Sequence, residues 1–234
     1  MKPRIEVVAI DCLMLRLFDE IAETNMPWML AASQRLRAGF AGHLIDLVPS
    51  YTTLMVHYDG LALSPGQARE LIAQALTDLQ PDTQNRGQCH VLPVWYDVSV
   101  GPELTLLAER TGWSVSEVIR RHSEHHYQVF ALGFAPGFAF MGLVEEALAA
   151  PRLATPRKRV AAGSVGIAER QTAAYPAQSP GGWNLIGRTP SALFDREREG
   201  YSLMQPGDSV QFAPVSHAEF INLGGDDTPQ EALA

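Results

Sequence analysis

Lysine is almost missing from this chain: of eighteen basic residues, only Lys2 and Lys158 are lysine. Any role that demands an amine away from the start of the chain therefore falls to Lys158. Cysteine is nearly as scarce. Cys12 and Cys89 stand apart, with neither the spacing of a thiolate metal site nor the number for a disulfide framework. Both read as small buried hydrophobes, and a reduced, cytoplasmic setting is the expectation. Positive charge is in deficit too. The formal charge of -8 argues against nonspecific affinity for nucleic acid or an anionic membrane. No apolar run approaches the roughly 18–20 residues that span a bilayer, and Asp11 interrupts the run that follows the basic Met1-Lys2-Pro3-Arg4. What is present, 234 residues of which 46% are apolar, suffices to bury a core in one large domain or two smaller ones.

Residues 1–90 predict a small α+β sandwich. Ile5–Leu17 reads as a strand or strand pair. Asn25 and Pro27 open a helix that ends near Gly39. Leu44–Val48 and Thr52–Tyr58 form a hairpin candidate. Ser64-Pro65-Gly66-Gln67 carries an N-cap serine, a first-turn proline and a capping-box glutamine, and Leu71, Ile72, Ala75, Leu76 and Leu79 follow at helical spacing before Pro81. Gln88–Tyr96 reads as one more strand. The order β-α-β-β-α-β is the ferredoxin-like arrangement, so a ferredoxin-like sandwich is expected here, without a catalytic constellation.

Two short helices follow, Pro102–Gly112 and Ser114–His126. Their glycine-turn spacing is that of a DNA-binding helix-turn-helix, but Glu117 and Glu124 sit where a recognition helix needs basic groups. The second helix ends in His122-Ser123-Glu124-His125-His126. His122 and His126 at i and i+4 would share a helical face, but a third zinc ligand has no recognisable place. His122 reads instead as a neutral hydrogen-bonding or acid–base residue at a site edge.

From Tyr127 onward the chain turns to short runs of strand character between frequent glycines and prolines, the pattern of a barrel or sandwich over residues 91–225. Asp226–Ala234 looks frayed and acidic. Within this half, Gly133-Phe134-Ala135-Pro136-Gly137-Phe138-Ala139-Phe140-Met141-Gly142 packs three glycines, a proline and three phenylalanines into ten residues. Pro136 and Gly137 predict a sharp turn. The aromatics make it either a packing turn or the wall of a small-molecule site. Pro151–Arg170 sets Arg152, Arg157, Lys158, Arg159 and Arg170 against Glu169 alone, and cations beside glycine-flanked amides can hold a carboxylate or phosphate.

These stretches together resemble the family of the B-type 5-oxoprolinase subunit, also called allophanate hydrolase subunit 1 or the KipI-like family. Gly133–Gly142 is similar to its GFxPGFxYLG signature. Ala162-Gly163-Ser164-Val165-Gly166-Ile167, Gln171-Thr172, Tyr175-Pro176, Ser179-Pro180-Gly181-Gly182-Trp183 and Leu185-Ile186-Gly187-Arg188-Thr189 follow in the family's order. The resemblance implies a carboxyltransferase-type, cyclophilin-like β-barrel behind a small α+β domain. It also implies two partners, a C-type protein with a similar barrel and an A-type protein. Together these hydrolyse 5-oxoproline to glutamate using ATP, with magnesium as its counter-ion and no tightly bound cofactor. Related domains serve carboxyl transfer in urea carboxylase, and one branch inhibits a histidine kinase. Phe140-Met141 departs from the usual Tyr-Leu and removes a hydroxyl.

On that resemblance, Lys158 and Arg159 are expected to meet phosphate or carboxylate, with Arg157 and Arg188 assisting. Ser164 and the amides near Gly163 and Gly166 would donate to a developing oxyanion, and His122 would manage a proton. Gln171, Tyr175, Gly182 and Trp183 would shape the pocket beside Phe134, Pro136 and Phe138. No metal ligands are expected.

Overall fold

The computed structural model describes residues 3–84 and 87–231, and the chain divides into two compact units, Met1–Arg86 and Gly87–Ala234. In the first unit, β1 (Arg4–Ala9) and β2 (Cys12–Arg16) form a hairpin, and α1 (Met26–Phe40) follows. A second hairpin, β3 (Leu44–Ser50) and β4 (Thr53–Tyr58), precedes α2 (Pro65–Ala75). The sheet runs β1-β2-β4-β3, antiparallel throughout. Period-two alternation points Leu13 and Leu15 of β2, with Leu54, Val56 and Tyr58 of β4, into a core shared with Met29, Leu36, Phe40 and Ile72. At the start of α2 the expected capping box is formed: Gln67 N–H donates to Ser64 Oγ at 3.3 Å and Ser64 N–H to Gln67 Oε1 at 2.9 Å.

The ferredoxin-like order is not the one observed. The unit reads β-β-α-β-β-α, because the first run folds back on itself and the last expected strand leaves for the second unit. That last strand, β5 (Cys89–Val94), pairs in parallel with β13 (Ser209–Pro214), some 120 residues further along the chain. Pairing partners at that separation leave no local signature.

In the second unit, β5 leads into α3 (Leu104–Thr111) and α4 (Val115–Glu124). β6 (His126–Leu132), β7 (Ala139–Gly142), β9 (Ser164–Ala168), β10 (Gln171–Ala174) and β12 (Asn184–Arg188) join β5 and β13 in one mixed sheet. Its order is β12-β9-β10-β7-β6-β13-β5. The ends approach each other: Trp95 N–H donates to the Arg188 carbonyl and Arg188 N–H to the Trp95 carbonyl, both at 2.9 Å. The sheet is therefore a nearly closed barrel. Leu92, Val94, Val129, Met141, Val165, Ile167, Ala174, Ile186, Val210 and Phe212 alternate onto its inner face and form one core with Leu104, Leu107 and Val118 of the helices. Over the outer face lies a separate two-stranded ribbon, β8 (Arg157–Val160) and β11 (Ser179–Gly181). A last helix, α5 (His217–Asn222), packs Phe220 against Trp95 at 5.4 Å between ring centroids.

Segment 226–231 is not frayed. Arg188 Nη1 donates to the carbonyls of Asp226 at 2.7 Å and Thr228 at 2.8 Å, and Gln230 exchanges side-chain bonds with Ala161 N–H and the Arg159 carbonyl. Its residues are exposed except Gln230, as the acidic composition suggested, but its backbone carbonyls have a buried arginine to meet. Residues 232–234 of the expected tail lie outside the described residues.

Candidate ligand site

The outer face of the barrel carries its own aromatic cluster. Phe138 sits at its centre, 1% exposed, with its ring centroid 4.8 Å from Phe140, 5.2 Å from Phe134, 5.3 Å from Tyr175 and 5.7 Å from Trp183. Three of these four contacts are near-perpendicular and the fourth, to Phe140, is inclined at 61°, the edge-to-face packing that aromatic quadrupoles favour. The turn that delivers Phe134 and Phe138 closes through Gly133 N–H to the Phe138 carbonyl at 3.1 Å and Phe138 N–H to the Ala135 carbonyl at 3.0 Å. Gly137 has φ 81°, and a Cβ there would lie 2.8 Å from the Leu193 carbonyl oxygen, so glycine is required. Phe134 holds φ 69° without being glycine and leaves its ring 64% exposed. A bulky residue in the left-handed region, with its side chain in solvent, is a feature that clusters at ligand sites.

These rings wall a cavity of about 240 Å³, lined also by Arg152, Pro156, Pro180, Gly181 and Gly182. Gly181 lies flat against the Tyr175 hydroxyl, where a Cβ would sit 2.3 Å from the oxygen. Burial pushes the Tyr175 phenol up to about 12, while a hydrogen bond from the Trp183 backbone and the charges of Arg152 and Arg157 oppose the rise. The hydroxyl therefore stays protonated at neutral pH, accepts a backbone bond, and keeps its own proton to donate.

The sequence-derived site residues do not gather in one place. Phe134, Phe138, Tyr175, Gly182 and Trp183 line the cavity, and Pro136 shapes the turn without lining it. Arg152, from the basic stretch, and Phe140, from the aromatic turn, line it as well.

A second group is buried beside the cavity on the same face of the sheet. Tyr175 N–H donates to the Ser164 carbonyl at 2.9 Å, and Ser164 is the register partner of Arg188 across β9 and β12. Arg157 is spent on a buried ion pair with Glu103, whose other oxygen accepts from Leu185 N–H at 2.8 Å. The amides expected to serve an oxyanion are committed: Gly163 N–H donates to the Tyr175 carbonyl at 2.7 Å, and Gly166 sits within the ladder between β10 and β12. Lys158 and Arg159 point to solvent from β8, and Gln171 pairs with Gly142 and Ala168 at the far end of β10.

His122 stands alone. It is not at a site edge but fully enclosed in the barrel, with Nδ1 2.7 Å from the Tyr96 hydroxyl and Nε2 2.9 Å from the Thr172 hydroxyl, stacked on Phe212. Burial holds its pKa near 3, with His125 adding to the effect. Thr172 and Tyr175 alternate to opposite faces of β10 and its extension, so the sheet separates His122 from the cavity. Helix α4 also stops at Glu124 and His126 begins β6, so the shared metal-binding face of His122 and His126 is not formed. The helix-turn-helix arginines are occupied as well: Arg120 pairs with Glu117 and Glu124, and Arg121 with Glu117 and Glu145.

Residues 3–204 match the family described as the carboxyltransferase domain, subdomain C and D. The chain belongs to this family. The B-type 5-oxoprolinase subunit of Bacillus subtilis is 34% identical over 227 residues, which cover 93% of this chain and 95% of that one. Among solved structures, TTHA0988 superposes with a TM-score of 0.77 at 37% identity, over 88% of this chain and 40% of that chain. The chain thus spans about two fifths of that relative. The urea amidolyase of K. lactis shares the fold, with a TM-score of 0.72 at 16% identity over 93% of this chain and 15% of that chain.

Proposed function

We propose that the chain is the B-type component of an ATP-dependent 5-oxoprolinase, acting with a C-type partner and an A-type protein in the cytoplasm. The observation that carries this reading is the near end-to-end match to a relative named as the B-type 5-oxoprolinase subunit. The cavity's chemistry supports it. A five-membered lactam is flat and largely apolar on its faces, which suits the Phe138, Phe140 and Trp183 wall. Its carboxylate would meet Arg152 at the mouth, and its ring carbonyl would accept the Tyr175 hydroxyl proton.

A cavity of about 240 Å³ walled by aromatic rings does not fit a nucleoside triphosphate. We place ATP and its magnesium outside it, where the exposed Lys158 and Arg159 can meet a phosphate held largely by another protein of the complex. This chain's part is to bind the ring, orient its carbonyl and exclude water; we read its barrel as cyclophilin-like. A second reading, a carboxyltransferase-type component of a urea or allophanate pathway, is favoured by the description of the family itself.

The test is co-purification with the A-type and C-type partners, followed by ATP-dependent release of glutamate from 5-oxoproline. Activity that depends on this chain and falls when Tyr175 or Arg152 is replaced is expected. Full activity without the chain overturns the proposal.

A further inference from the structure

Arg188 is 1% exposed and Ser164 is fully enclosed, and they face each other across β9 and β12. Arg188 Nη1 has two carbonyl partners in segment 226–231, but its Nε and Nη2 find no hydrogen-bond partner among the described residues, and neither does Ser164 Oγ. A guanidinium carries five donors in a planar fork, and its Nε–Nη2 edge matches the two oxygens of a carboxylate. Burying that edge without an acceptor, on a cation that no carboxylate touches, is costly.

The acids closest in sequence to its two carbonyl partners are turned elsewhere. Asp226 Oδ1 accepts from Thr228 N–H at 2.9 Å, and Asp227 Oδ2 lies 2.8 Å from His217 Nε2. Arg157, the other arginine that segment 226–231 reaches, already has Glu103. Asp226 and Asp227 therefore act on Arg188 only at a distance, and no carboxylate among the described residues meets its Nε–Nη2 edge.

We propose that Arg188 and Ser164 form a buried oxyanion site, distinct from the aromatic cavity, which takes one small carboxylate-class anion beneath segment 226–231. The anion lies side-on to Nε and Nη2 and accepts the Ser164 hydroxyl proton, while Nη1 holds the covering carbonyls. Arg188 thereby couples the anion to the segment, since one guanidinium edge faces each. The site does not depend on the 5-oxoprolinase reading.

The experiment is thermal unfolding and isothermal titration of the full chain, dialysed into chloride, with sodium formate, acetate or phosphate added at matched ionic strength. Formate and acetate should raise the midpoint beyond the chloride control. Ser164→Ala should weaken binding by roughly ten-fold, and Arg188→Gln by ten-fold to a hundred-fold. Arg188→Lys keeps the charge without the fork and serves if the glutamine variant does not fold; it too should lose most of the effect. Ending the chain after Gly225 should weaken the anion's hold. Equal shifts in the wild type, Arg188→Lys and Ser164→Ala would overturn the site, as would no carboxylate effect in the wild type. Stabilisation by phosphate alone would overturn the carboxylate assignment. Failure of glutamate release in the assembled complex would count against the proposed function and leave this site standing.

Discussion

His122 should make this protein acid-labile in a defined window. Its ring is fully enclosed, bonded to two neutral hydroxyls, and held at a pKa near 3 against an ordinary value near 6.5. Because the folded value is depressed, the neutral ring's contribution is complete above about pH 6.5 and is lost as pH falls toward 3. Between pH 6.5 and about 4.5 the unfolded chain carries one more proton at this position. Two pH units at ~1.36 kcal/mol each remove ~2.7 kcal/mol, a large part of an ordinary domain's ~5–15 kcal/mol. His122→Gln keeps a donor and an acceptor for Tyr96 and Thr172 but does not titrate. Urea unfolding of both proteins at about pH 7 and pH 4.5 isolates the effect from that of the carboxylates. The variant should be weaker at neutral pH, from imperfect packing on Phe212, yet lose ~2.7 kcal/mol less on acidification. Equal losses in the two proteins would refute the reasoning.

The other predictions concern the cavity. Tyr175→Phe should leave the fold intact and lower kcat for 5-oxoproline in the assembled enzyme by about a hundred-fold, the scale of losing one oxyanion donor, as read by glutamate release. Arg152→Gln should raise KM with little change in kcat, because the guanidinium holds the same carboxylate in ground and transition states. Phe138→Ala removes the ring that four others touch and should cost about 3–5 kcal/mol in chemical denaturation.

Much of the local structure was legible in the sequence. The capping serine Ser64 starts its helix by accepting from the residue three places on. The Gly133–Gly142 and Gly181-Gly182-Trp183 turns were both legible, since glycine and proline spacing are chain-local signals, but that they line one cavity is visible only in the fold. Strand β7 was hidden inside the first of these turns, whereas α5 does carry a local mark, Ser216 three places before Glu219, on a run too short to show helical periodicity. The roles given to charged residues fared differently. Arg157, Lys158 and Arg159 are three consecutive cations, and only the packing around β8 buries the first and leaves the other two exposed, a pattern that strand alternation alone does not give. Nothing within Pro151–Arg170 could say that Glu103 lies waiting for Arg157.

By itself, then, the sequence determined helices α1 to α4, the turns, the membership of the family and the aromatic character of the Gly133–Gly142 turn, all of which depend on neighbours within a few residues or on motif order. Only the tertiary structure decided that β5 belongs to the barrel and that His122 is sealed behind the sheet from the cavity. It alone placed segment 226–231 over Arg188. Each of those outcomes joins residues dozens to more than a hundred positions apart, where pairing is chosen by the burial of whole faces and by the satisfaction of buried polar groups.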